Sequence, residues 1–196
     1  RKLQNEAIIY KALGFIPDDF DYQKGIVELY LNQLGGYYDP EQKHYIMAGW
    51  LPGMLQTTVA VHELTHALQD QYFNLKNFID ESRFNGDQLL SRSALVEGDA
   101  TAVMLDFTRH AVGQSSIEKE KDVESMMLQN VLGSSLVSGM SSIPQSLQLM
   151  LIFPYTSGLR FVHDLLLHGS YSTVDKAFTR PPRSTEEILH PEKYYF

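Results

Sequence analysis

Thr57-Thr58-Val59-Ala60-Val61-His62-Glu63-Leu64-Thr65-His66-Ala67-Leu68-Gln69-Asp70-Gln71 is the stretch whose reading decides the rest of the chain. It contains His62-Glu63-Leu64-Thr65-His66, an H-E-x-x-H pattern. Residues four apart on an α-helix project from one face, so the imidazoles of His62 and His66 stand side by side. Two imidazoles held this way can grip one metal ion, most often zinc. Glu63 lies about 100° further round the helix, within reach of a water on that ion. Two ligands and a general base on one helix are what a zinc hydrolase needs. The flanking sequence predicts a helix. Thr57 or Thr58 offers an N-cap. Val61, Leu64, Leu68 and Tyr72 recur at helical spacing as an apolar stripe. Neither Gly nor Pro interrupts from Gln56 to Leu75. The stripe predicts a helix half buried along those residues.

The chain of 196 residues suits one domain spanning residues 1–196, divisible into an N-terminal lobe (1–56) and a helical C-terminal lobe (57–196). Its hydrophobic content of 43% is ample for a core. A formal charge of −8, with no Lys/Arg cluster, argues against a nucleic-acid partner. There is no cysteine, so ligands to a zinc ion must be His and carboxylate. No apolar run approaches the roughly 18 residues of a membrane span. The first residue is Arg1, not Met. The expectation is a processed or trimmed form, with any signal or lipid anchor lying upstream, and an extracytoplasmic or secreted protein.

Outward from the motif, the N-terminal side predicts two amphipathic helices, over residues 3–13 and 21–34, separated by a turn at Pro17-Asp18-Asp19. Gly35 to Met47 reads as a β-hairpin. Tyr37-Tyr38 and His44–Met47 form its strands, and Asp39-Pro40-Glu41-Gln42 its turn. Standing just before the motif helix, the hairpin either closes the core or, if the chain is a peptidase, holds an extended substrate by main-chain pairing. On the C-terminal side, Asp87 offers a cap for a helix from Gln88 to about Ala111. Residues 114–122 predict the start of a solvated helix reaching Leu132, and 133–142 a Ser/Gly-rich loop. Residues 145–152 form a helical stretch that Pro154 should break, and a further helix runs from Tyr155 to His168, ended by Gly169. Ser184-Thr185-Glu186-Glu187 fits a capping box, with Ser184 as N-cap.

Within the second long helix lies Ala94-Leu95-Val96-Glu97-Gly98-Asp99-Ala100. Gly98 costs roughly 1 kcal/mol against Ala in a helix interior. Close approach by another helix or a ligand would account for it. Glu97, among small and apolar neighbours, needs a proton or a cation beside it. An ion between His62 and His66 would serve, and Arg92 is the other candidate partner.

An H-E-x-x-H helix followed by such a Glu on a second helix resembles the gluzincin metallopeptidases, the thermolysin-like branch of the MA clan. The segment Tyr155-Thr156-Ser157-Gly158-Leu159-Arg160-Phe161-Val162 looks like the Y-x-x-G-x-x-F-V helix of bacterial relatives of that branch. The resemblance covers roughly residues 37–168. It implies a mainly α-helical α+β fold of zincin type, with a small antiparallel sheet beside the metal helix. It also implies one zinc ion held by His62, His66 and Glu97. The implied reaction is hydrolysis of peptide or protein substrates by a zinc-activated water, with Glu63 as general base. Tyr155 is the implied donor to the oxyanion, with His163 and His190 as alternatives. Thermolysin-like enzymes carry an Asp four residues after the ligand Glu, to support a zinc-bound His; that position is Thr101 here. The alternative function is a zincin fold that binds zinc without catalysis, as an interaction or assembly module.

Overall fold

The computed structural model describes residues 2–33, 35–123, 126 and 142–196. The protein is mainly helical, with one two-stranded antiparallel sheet among these residues. In order they form α1 (Lys2–Ala12), α2 (Tyr22–Gln33), β1 (Gly36–Asp39), β2 (His44–Met47), α3 (Gly53–Phe73), α4 (Leu75–Phe78) and α5 (Gly86–Ala111). A single 3₁₀ turn (Ile117–Lys119) follows. Then come α6 (Gln145–Leu167), α7 (Tyr171–Thr179), α8 (Thr185–Leu189) and α9 (Pro191–Tyr194). Among the described residues no helix is long and apolar enough to cross a membrane. The chain groups into two compact units, Arg1–Leu34 with Met127–Ile152, and Gly35–Met126 with Phe153–Phe196.

In the first unit, Ile16, Tyr22, Ile143 and Leu147 form a small buried cluster, flanked by Ala7, Tyr10, Phe20, Ile26 and Leu151. Tyr10 meets Tyr22 edge-on at 5.5 Å, a favourable ring geometry.

The second unit is built on α3 and α5, with the hairpin against α3. Asp39 shapes the hairpin turn: its Oδ1 accepts from the N–H groups of Glu41 (2.8 Å) and Gln42 (3.1 Å). Lys43 then takes a left-handed conformation (φ 56°). The register pairs Tyr37 with Ile46 and Tyr38 with Tyr45. The hairpin is pinned to α3 through a buried carboxylate. Tyr38 Oη donates to Asp70 Oδ2 (2.9 Å), the Lys43 ammonium pairs with the same oxygen, and the Leu75 N–H donates to Oδ1 (3.1 Å). Asn74 closes α3 in the left-handed region, and its side chain accepts from the Asn77 N–H to start α4.

Several expectations are corrected. α3 begins a turn before Thr57, at Gly53, without a side-chain cap. Its apolar stripe faces outward: Leu64, Leu68 and Tyr72 are 49%, 54% and 78% exposed. The buried face is instead the polar one, Glu63, Thr65, His66, Gln69 and Asp70, whose groups find partners inside. The cap of α5 is Asn85, in a reciprocal box with Gln88, two residues earlier than Asp87. Asp87 serves the far end of the unit, where its Oδ1 accepts from the Thr185 N–H (3.1 Å) and hydroxyl (2.6 Å). Ser184 makes no side-chain capping bond at α8, and Glu187 is held by Arg183. Pro154 does not break its helix. α6 is continuous through it, because a proline forfeits one main-chain bond without forcing the following turns out of helical geometry. Residues 114–122 supply only the 3₁₀ turn, anchored by the fully buried Ile117. The helix expected to reach Leu132 and the loop over 133–142 fall almost wholly outside the described residues.

Candidate metal centre

His62 and His66, one turn apart on α3, and Glu97 on α5 converge. Nε2 of His62 lies 3.0 Å from Nε2 of His66 and 3.1 Å from Glu97 Oε2, which is 3.4 Å from His66 Nε2. A tetrahedral ion bonded at roughly 2.0–2.1 Å keeps its ligand atoms about 3.3 Å apart. The donor set fits: these three residues could hold a metal ion. Two imidazole nitrogens and a carboxylate oxygen this close need a proton or a cation among them. Burial would raise the pKa of Glu97, but His66 and His62 hold its carboxyl well below the usual range. Burial likewise acts to lower His66, and Glu97 outweighs it, pushing it up to about 9. The Glu97 side chain remains 23% exposed, so the cluster reaches solvent on one side. Arg92 is not its partner. That guanidinium sits over the rings of Phe84 (3.9 Å) and Phe78 (4.8 Å) and donates to the Phe78 carbonyl.

A close crossing of helices sets this geometry. A methyl on Gly98 would overlap the Gly158 carbonyl group, and one on Gly158 would overlap the carbonyl of Ala94. Gly98 thus admits a helix backbone, α6, against α5. Three residues before Gly158, the Tyr155 ring lies beside His62, with centroids 6.1 Å apart and planes 28° from parallel.

Glu63 is buried and faces β1. The Tyr38 N–H donates to its carboxylate, and burial raises its pKa, against the lowering effect of His66 and His62. Gly36 makes room for it: a methyl there would come 2.6 Å from Val59 Cγ1 and 3.0 Å from Glu63 Cγ. The structure therefore brings His62, Glu63, His66, Glu97 and Tyr155 into one neighbourhood.

The alternative donors are engaged elsewhere. Buried His163 is bonded through Nε2 to the Ile117 carbonyl (2.9 Å). His190 is exposed and faces Glu192 (3.6 Å).

Two polar residues absent from the sequence reading of the site complete it. Gln69 Oε1 lies 2.8 Å from His66 Nδ1. Gln69 Nε2 donates to the Val96 carbonyl (3.0 Å) and to Asp99 Oδ2 (2.8 Å). Asp99 is buried and joined to this network. Burial, with Asp175 adding to it, pushes the Asp99 carboxyl up to about 6 against the opposing Gln69 bond. The available signal was spacing: Gln69 is three residues after His66 and so shares its face. Thr101 is fully buried, and its hydroxyl makes no hydrogen bond among the described residues.

Compared with protein-family models, with curated proteins and with solved structures, the chain finds no match.

Proposed function

We propose that this protein is a zinc metallopeptidase of gluzincin type, with a zincin-like arrangement around α3 and α5. The observation that carries the proposal is the convergence of His62, His66 and Glu97 beside the buried carboxyl of Glu63. A structural metal has no use for a base at that position. Nitrogen and oxygen donors without thiolate suit zinc in a hydrolytic site. Bound there, zinc supplies Lewis acidity toward a carbonyl oxygen and toward a water molecule.

The chain's own residues do the rest. Glu63 takes the proton of the attacking water and passes it to the leaving amine, so that water adds across the C–N bond and one carboxyl and one amine result. The Tyr38 N–H and the open face of Gly36 hold the Glu63 carboxylate in place. The Tyr155 phenol, beside His62, donates to the oxygen that gains charge as the carbonyl becomes tetrahedral. An extended peptide adds along the edge of β1 opposite β2, at groups other than the Tyr38 N–H, which the Glu63 carboxylate takes.

The test is metal content together with cleavage of an unstructured protein such as casein, for wild type, Glu63→Gln and Tyr155→Phe. Stoichiometric zinc in all three is expected, with cleavage abolished in Glu63→Gln and reduced 10²–10³-fold in Tyr155→Phe. Zinc bound by wild type without cleavage would replace the peptidase with a zinc-binding interaction module. Failure of wild type to take up zinc would remove the ligand assignment.

A further inference from the structure

Behind His66, on the side away from its ligating nitrogen, buried polar groups run from α3 into α5. Gln69 is 3% exposed and uses every donor and acceptor it has in this direction. The orientation of its amide is fixed by its neighbours. The Val96 carbonyl and the Asp99 carboxyl are both acceptors, so the –NH₂ end must face them. A flipped amide would set its oxygen against two other oxygens. Oε1 therefore faces His66, and His66 must present N–H at Nδ1. In the neutral ring the lone pair is then left at Nε2, the atom directed at His62 and Glu97.

We propose that Gln69 is a positioning residue of the metal centre: it locks His66 in the tautomer that ligates through Nε2 and relays to it the hold of Asp99. This rests on the metal reading given above. An acceptor on the outer nitrogen of a ligating His fixes the ring and raises its basicity toward the metal. The acceptor here is a neutral amide carried on the metal helix itself. Its oxygen is strengthened because its own N–H groups donate to Asp99 and Val96. Thr101, four residues after Glu97, takes no part: its hydroxyl makes no hydrogen bond among the described residues. The two histidines are supported unequally, since no described residue accepts from Nδ1 of His62. A role confined to helix packing would need only the bonds to Val96 and Asp99.

The test is zinc affinity at fixed pH, by competition with a chromogenic chelator, for wild type, Gln69→Leu, Asp99→Ala and the double variant. Cobalt absorption spectra of each report ligand geometry. Gln69→Leu is expected to weaken zinc about 10- to 100-fold and to alter the cobalt bands. Asp99→Ala should weaken zinc by less, and the double variant should be no weaker than Gln69→Leu, because Asp99 acts through the amide. Should Gln69→Leu fail to fold, Gln69→Met preserves its length and serves the same comparison. Wild-type affinity and an unchanged cobalt spectrum in the Gln69 variants would overturn the proposal. Additive losses in the double variant would overturn the relay. If all four proteins, wild type included, bind no zinc, the metal reading fails and takes this inference with it.

Discussion

A methyl group at position 98 would have nowhere to go. The α5–α6 crossing brings the Gly158 backbone where that group would lie, and a backbone cannot turn aside as a side chain can. Gly98→Ala should cost about 1–3 kcal/mol, as overpacked positions do, and it should weaken metal binding because Glu97 is the adjacent residue. Urea unfolding and zinc titration of the one variant check both parts; a wild-type midpoint would show that the crossing is looser than it looks. At this scale the sequence was legible where the chemistry is periodic. His62 and His66 are four apart, and a carboxylate among small residues needs a partner wherever the helix lies. Gln69 was harder to find because a glutamine becomes part of a site only through what it touches. Its partners Val96 and Asp99 come from a helix whose placement no local pattern reveals.

The element that misleads most is α3. Its apolar stripe has the right period for a helix, and a helix it is. The same period fits either face, and here the inward face is the polar one. Glu63, His66, Gln69 and Asp70 bury because each finds a partner, which makes burial of the aliphatic stripe unnecessary. The hairpin was legible from its strand and turn residues, whereas the duty of Asp87 depends on a segment 98 residues downstream. Asp70 shows what the polar face contributes. Burial would raise its pKa, but Lys43, Tyr38 and the Leu75 N–H outweigh that and lower it. A carboxyl depressed on folding adds stability above its unfolded pKa, near 3.8, and that stability is lost as pH falls through the folded value. Asp70→Asn should therefore cost about 1–3 kcal/mol at pH 7. The gap to wild type should close below about pH 4. Thermal melts of both proteins from pH 7 to pH 3 test this; a gap that stays constant would show that the carboxylate charge contributes nothing.

Across the molecule, every residue given a part in the candidate chemistry belongs to the unit made of Gly35–Met126 and Phe153–Phe196. The apolar periodicity pointed to a run of helices but carried no sign that residues 143–151 join the N-terminal ones. The division into units depends on that packing, a pairing between segments more than a hundred residues apart. The candidate metal-binding group is far more local. His62 and Glu97 are separated by 35 positions, and the only regular element between their two helices is one helical turn, α4.

That proximity along the chain bears on the order of events as the protein folds. Contacts between near segments close sooner than those between distant ones, because less chain entropy is lost in making them. His62, His66 and Glu97 gather once α3 and α5 dock, before the distant segments need to meet. An ion captured at that stage ties the two helices together while much of the chain is still unpacked. Zinc should then quicken refolding as well as slow unfolding, a distinction that stopped-flow measurements with and without the metal read directly. If zinc changes only the unfolding rate, the triad is completed late and the ion arrives at a finished site.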